Sequence, residues 1–181
     1  MDYLLKEYLQ EFSGATDLHN EIISTLIIAS AEYRADYKCY GDGLRLVYQG
    51  DRKDFHSLYL ASHTEYDASF ELFDYDSVEP DFMIFHKNTY ALNKQGSRIA
   101  GQPILIVEVW SRSNTREDRH FKKYLYSTSF STEHWYIEQN SNEIECYLGK
   151  TKLPSQSLSS LAKTSYGLEL DLSPISLENR N

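Results

Sequence analysis

The sequence predicts an α/β domain with a mixed central sheet flanked by helices. Three observations carry this reading. Apolar residues recur at helical spacing near the start and again in the second half. A near-continuous apolar run covers 103–110. Short apolar segments bounded by Gly, Pro and Asp turns fill much of the rest. The order helix, helix, strands, helix, strands is that of an α/β layer architecture. At 181 residues the chain suits one domain, 1–181, with a Ser-rich, weakly patterned tail over 150–181.

Asp2–Phe12 reads as a short amphipathic helix with Leu4, Leu5, Tyr8, Leu9 and Phe12 on one side. A break at 12–16 follows. Asp17 has the character of an N-cap, and a longer helix is expected to about Tyr37, with Ile23, Leu26 and Ile27 on its apolar face. Gly41-Asp42-Gly43 is a turn, and Leu44–Tyr48 alternates like a strand. Leu58–Ala61, Ala68–Phe73 and Phe82–His86 are further strands, and Lys87–Gln102 is a polar connection. Pro103–Trp110 is the most hydrophobic strand, and its run of apolar residues implies burial on both faces. Thr115–Ser127 is a helix started by Asn114 or Thr115, with Glu117 or Asp118 placed to complete a capping box. His134–Glu138 and Glu143–Leu148 are closing strands around the 139–142 turn, and one more strand is expected near Gly167–Leu172.

Composition narrows the function classes. Hydrophobic residues make up 41% and charged residues 25%, which is the balance of a folded chain. No signal-peptide pattern is visible at the start, and the longest apolar stretch, Ile22–Ala31, is far short of the ~20 residues of a membrane helix. Cys39 and Cys146 are isolated, so neither a zinc site nor a disulfide framework is expected, and a cytoplasmic setting follows. Eighteen Lys and Arg against 27 Asp and Glu give a net charge of −9, which argues against coating a polyanion through a broad basic surface. All of that excess lies in residues 1–110. The second half is neutral, so a polyanion would meet that half.

Glu108, near the end of the most apolar strand, is the most informative residue. A carboxylate there is costly unless it meets an arginine at the strand end, another cation or a metal. Asp81 follows Pro80 and precedes Phe82–Phe85. If strands 82–86 and 103–109 pair antiparallel, Asp81 falls beside Glu108 on one rim of the sheet. Two carboxylates that close repel unless a cation lies between them, and Mg²⁺ or another hard ion suits such oxygen donors. Asp118, Lys122 and Tyr126 then share one helix face at four-residue spacing, from which Lys122 could reach the acidic pair. An exposed Asp118–Lys122 helix pair is the plainer alternative. Arg112, Arg116, Arg119, Lys122 and Lys123 against Glu117 and Asp118 make a local +3 segment that could position a phosphate backbone or form a solvated helix face.

The segments Glu79-Pro-Asp81-Phe-Met-Ile-Phe, Pro103-Ile-Leu-Ile-Val-Glu108-Val-Trp-Ser111 with Ser113, Thr115, Asp118, Lys122 and Tyr126, and Glu133-His-Trp-Tyr-Ile137 together resemble the Uma-type family of putative restriction endonucleases, within the PD-(D/E)XK nuclease superfamily. Gly14 through His19 and Asn20 resembles the family's entry into its long helix. The resemblance implies a restriction-endonuclease-like fold, a Mg²⁺ (or Mn²⁺) site on Asp81 and Glu108, a nucleic acid substrate, DNA foremost, and a homodimer. The superfamily's usual lysine lies two residues after the acid; here that position is Trp110, so the role passes to Lys122 on the helix. Asp118 and Tyr126 would hold Lys122, and His19 would contribute to the site or cap and pack. An upstream acid is expected among Glu7, Glu11 and Glu21, with Glu11 the choice. The mechanism expected is metal-assisted phosphodiester hydrolysis.

A rival reading keeps the fold as a non-catalytic scaffold for protein or nucleic-acid contact. The acidic run from Glu65 to Asp81, with no base inside it, favours that rival because it repels DNA. The tyrosine excess (15 Tyr) would also suit a structural dimer.

Overall fold

Six consecutive buried residues, Leu105–Trp110, form the central strand, as the apolar run predicts. The structure is a computed structural model and describes residues 17–48, 77–111, 114–139 and 141–175. In chain order the elements are helix α1 (Asp17–Ser30), strands β1 (Tyr37–Tyr40), β2 (Arg45–Val47), β3 (Ser77–Val78), β4 (Phe82–His86), β5 (Tyr90–Leu92), β6 (Arg98–Gly101) and β7 (Leu105–Trp110), helix α2 (Arg116–Ser129), and strands β8 (Glu133–Glu138), β9 (Glu143–Leu148), β10 (Thr151–Lys152), β11 (Gln156–Ser157), β12 (Leu161–Lys163) and β13 (Glu169–Asp171). The expected helix at 2–12 and the expected strands at 58–61 and 68–73 lie outside the described residues.

The main sheet runs β1-β4-β7-β8-β9-β10, with β11 also on β9. It is mixed: β4 pairs antiparallel with β7, and β7 pairs parallel with β8 across the α2 crossover. Side chains alternate across a strand, so the two faces bury different partners. Phe82, Ile84, Val107, Val109, Trp135 and Ile137 pack on α1 and on Leu168, Leu170 and Leu172 of the tail. Met83, Phe85, Ile106, Trp110 and Tyr136 pack on α2 and on a second sheet, β3-β2-β6-β5. Glu108 lies in phase with Ile106 and Trp110, on the α2 face.

Three expectations are corrected. The longer helix, expected from Asp17 to about Tyr37, stops at Ser30, with a 3-10 turn at Ala31–Tyr33, and Tyr37–Tyr40 is a strand. That segment covers the edge of β4, in the register Tyr37↔His86 to Tyr40↔Met83, where backbone groups of a buried strand need partners. The polar connection at 87–102 holds the β5–β6 hairpin. Buried Asn93 shapes its turn, accepting from the Ser97 and Arg98 amides (2.8 and 2.9 Å), a side-chain device that hydropathy does not reveal. The weakly patterned tail contributes β10 to β13 rather than one strand, and its buried leucines close the core over α1. Glu133, fully buried, ties it down by accepting from Trp135 Nε1 (2.6 Å) and the Ser165 amide (2.5 Å). Among the described residues no helix is long and apolar enough to cross a membrane.

Candidate active site

The antiparallel register Phe82↔Val107 brings Asp81, one residue earlier, level with Glu108. Asp81 is fastened there, its Oδ2 accepting from the Val109 amide at 2.6 Å. β1 supplies a third acid to the same rim. Its register with β4 ends at Tyr40↔Met83, and two further residues bring Asp42 level with Asp81. Three neighbouring strands thus each present one carboxylate at one end of the sheet.

The two helices close on this row from opposite faces. Thr115 caps α2, accepting from the Asp118 amide at 3.1 Å. About two turns beyond Thr115, Lys122 Nζ donates to Glu108 Oε2 (2.6 Å) and to the Glu79 carbonyl (3.1 Å). Four residues later Tyr126 donates its hydroxyl to Glu108 Oε1 (2.5 Å). From α1, His19 Nε2 lies 3.2 Å from Asp42 Oδ2 and 3.8 Å from Asp81 Oδ1.

Burial sets the electrostatics. Glu108 is 1% exposed. Desolvation, then the Asp81 charge, pushes its carboxyl up to about 8 against the pull of Lys122 and Tyr126. Burial likewise lifts Asp81 to about 6, although His19, the Val109 amide and Lys122 favour its charged form. Tyr126 is raised well above an ordinary phenol by burial and by the adjacent Glu108. Burial pulls His19 down, but the Asp42 bond and the charges of Asp81 and Asp42 outweigh it and the net shift is upward. The rim therefore holds more carboxylate than its surroundings neutralise, and protons or a cation complete the balance. The donors are hard carboxylate oxygens with one imidazole nitrogen, a set that fits a divalent ion such as Mg²⁺ or Mn²⁺. His19, Asp42 and Asp81 each offer a ligand atom within 4.8 Å of the others.

Of the residues singled out in sequence, Asp81, Glu108, Lys122, Tyr126 and His19 converge here. Asp118 and Tyr126, expected to hold Lys122, meet other groups: Asp118 Oδ2 takes the Thr115 hydroxyl at the helix cap (2.9 Å), and Tyr126 holds Glu108. Glu7 and Glu11 lie outside the described residues. Glu21, two residues after His19, is turned about 200° around α1 from it. Of the +3 segment, Arg112 lies outside the described residues, and three of the other four bases, Arg119, Lys122 and Lys123, are paired within the chain. Arg119 pairs with Glu138 and lies over Trp110, and Lys123 pairs with Glu145. Arg116 and His120 are exposed. Asp42, in sequence a turn residue between two glycines, is the site residue that sequence patterning misses, because only the pairing of β1 with β4 sets it level with Asp81.

The Uma2 family model, described as "Putative restriction endonuclease", matches residues 2–173. The chain belongs to the Uma2 family. A solved structure, described as a putative nuclease belonging to DUF820 from Anabaena variabilis ATCC 29413, superposes with a TM-score of 0.59 at 12% identity, over 94% of this chain and 96% of that one. That likeness is one of fold, and it agrees with the mixed sheet flanked by helices expected from the sequence. No curated protein matches.

Proposed function

We propose that this Uma2-family chain is a divalent-metal-dependent endonuclease that hydrolyses phosphodiester bonds of nucleic acid, with DNA as substrate, working in the cytoplasm as a homodimer. The observation that carries the reading is the meeting of Asp81, Glu108 and Lys122, from two paired strands and the helix that follows, at one rim. Nuclease-family membership and fold support it. A Mg²⁺ or Mn²⁺ ion held at Asp81 and Glu108 would supply Lewis-acid stabilisation of phosphate charge and a more acidic water.

The chain's own groups do the rest. Asp81 is fixed through Oδ2 to the Val109 amide, so Oδ1 is the oxygen that would hold the ion. Tyr126 and Lys122 fix the rotamer of Glu108. Lys122, partly exposed, is placed to neutralise charge developing on the scissile phosphate. Water adds to phosphorus, one P–O ester bond breaks, and the leaving oxygen takes up a proton.

The test is cleavage of plasmid and oligonucleotides with Mg²⁺ or Mn²⁺. Asp81→Asn, Glu108→Gln and Lys122→Met are each expected to lower the rate by at least about a hundredfold. Undiminished cleavage by Asp81→Asn or Glu108→Gln would overturn the reading. One observation favours the rival scaffold: Arg119, Lys122 and Lys123 already face carboxylates of this chain, leaving less charge for a phosphate backbone. Calorimetry separates the two, because a scaffold of this kind binds no divalent ion at Asp81.

A further inference from the structure

We propose that His19 and Asp42 complete the cation site around Asp81, giving it a nitrogen ligand and a preference for Mn²⁺ over Mg²⁺. The inference rests on the metal-dependent reading above and assigns two ligands which that reading does not contain.

Geometry carries it. Asp81 has its Oδ2 spent on the Val109 amide, so Oδ1 is the oxygen left to face an ion, and Oδ1 looks toward His19 Nε2 at 3.8 Å. Asp42 Oδ2 stands 3.2 Å from the same nitrogen. An octahedral ion with bonds of about 2.1 Å places neighbouring ligands about 3 Å apart and opposite ones about 4.2 Å apart. His19 Nε2 stands 3.2 and 3.8 Å from the two carboxylate oxygens, inside that range, and all three donors lie within 4.8 Å of one another. On the other side of Asp81, Glu108 already receives Lys122 on one oxygen and Tyr126 on the other, so it has the least freedom to wrap an ion.

The local backbone suits the role. Asp42 projects from a tight turn whose next residue, Gly43, has φ 90°. Its side chain is 20% exposed and that of His19 12%, so solvent reaches the pair, as an ion that retains waters requires. His19 and Asp42 come from α1 and the β1–β2 turn, 23 residues apart, and Asp42 comes level with Asp81 because β1 lies on β4. Magnesium takes oxygen almost exclusively, whereas first-row transition ions also accept imidazole; Mn²⁺, the hardest of these, keeps its affinity for carboxylate, so one nitrogen among the carboxylates shifts selectivity from Mg²⁺ toward Mn²⁺.

The experiment titrates MnCl₂ and MgCl₂ by calorimetry into the full chain and its Asp81→Asn, Asp42→Asn and His19→Gln variants, with pulsed EPR of the Mn²⁺ complex to detect ligand nitrogen. Asp42→Asn and His19→Gln are expected to weaken Mn²⁺ binding by at least about tenfold. His19→Gln should weaken Mn²⁺ more than Mg²⁺ and abolish a nitrogen coupling present in the unaltered protein. Unaltered affinity in both variants, or no nitrogen coupling in the unaltered protein, overturns the inference. If Asp81→Asn alone loses the ion, the metal-dependent reading stands and this one falls; if the unaltered protein binds no divalent ion at millimolar concentration, both fall. Should a variant fail to fold, the nitrogen coupling of the unaltered protein decides.

Discussion

Tyr126→Phe is the sharpest probe of how the site is held. The substitution removes one oxygen and keeps the ring against Phe130 and His134, with centroids at 6.4 Å from each. What is lost is the donor to Glu108 Oε1 at 2.5 Å, between a tyrosine with no exposed surface and a carboxyl that is 1% exposed. Water cannot replace it. A buried bond of this kind contributes about 1 kcal/mol to a neutral acceptor and up to about 3 kcal/mol to an ionised one. At this chain length about 2 kcal/mol corresponds to roughly 4–8 °C in melting temperature. The assay is urea unfolding of the unaltered protein, Tyr126→Phe, Glu108→Gln and the double variant, combined as a cycle. A coupling of about 1–2 kcal/mol is expected, since Tyr126→Phe removes the donor and Glu108→Gln replaces the carboxylate acceptor with a weaker amide oxygen. Additive losses, or a Tyr126→Phe protein as stable as the unaltered one, would refute the idea that α2 orients Glu108.

Three other outcomes follow from the packing. Burial holds His134, 2% exposed, down to about 4, against 6.5 in an open chain. The unfolded chain then binds more protons between those values, so this stability is complete above pH 6.5 and is lost as pH falls toward 4, by up to about 3 kcal/mol. His134→Phe, which keeps a ring stacked on Tyr147, should flatten unfolding free energy between pH 7 and 4; an unchanged slope removes His134 as its source. Glu133→Ala leaves the Trp135 indole and the Ser165 amide without their buried acceptor, costing about 2–5 kcal/mol. Limited proteolysis should then cut the tail faster, and an uncut tail would show that its leucines suffice. Gly101→Ala drives a methyl to 2.4 Å from the Thr89 carbonyl at φ 148°, and denaturant midpoints should report a loss of about 2–3 kcal/mol; no loss would mean the hairpin yields freely.

Legibility varied with how local the cause was. β4 and the β8–β9 hairpin follow from short-range pattern, and β4 matches the expected Phe82–His86. The α2 cap follows likewise, from a hydroxyl three residues before an acid. The hairpin at 90–101 did not, because its strands are only partly apolar and buried Asn93 organises its turn. β1 is not legible either: the helical pattern runs to about Tyr37 and nothing marks 38–40, since Tyr37–Tyr40 is strand only when β4 lies beside it. The same dependence hid Asp42: from sequence it is a turn residue 39 positions before Asp81, and only strand pairing sets them level.

The sequence by itself determined which segments are apolar enough to be central, and that a carboxylate inside the most apolar of them demanded a partner. It also determined that a lysine and a tyrosine four residues apart reach the same point, because helix geometry is fixed over one turn. Tertiary structure alone decided which face α1 covers, that the tail seals it, and that Asp42, Asp81 and Glu108 stand in a row. Those outcomes depend on the register between segments tens of residues apart, and register is set by matching buried side chains and backbone bonds across strands, which no single segment encodes.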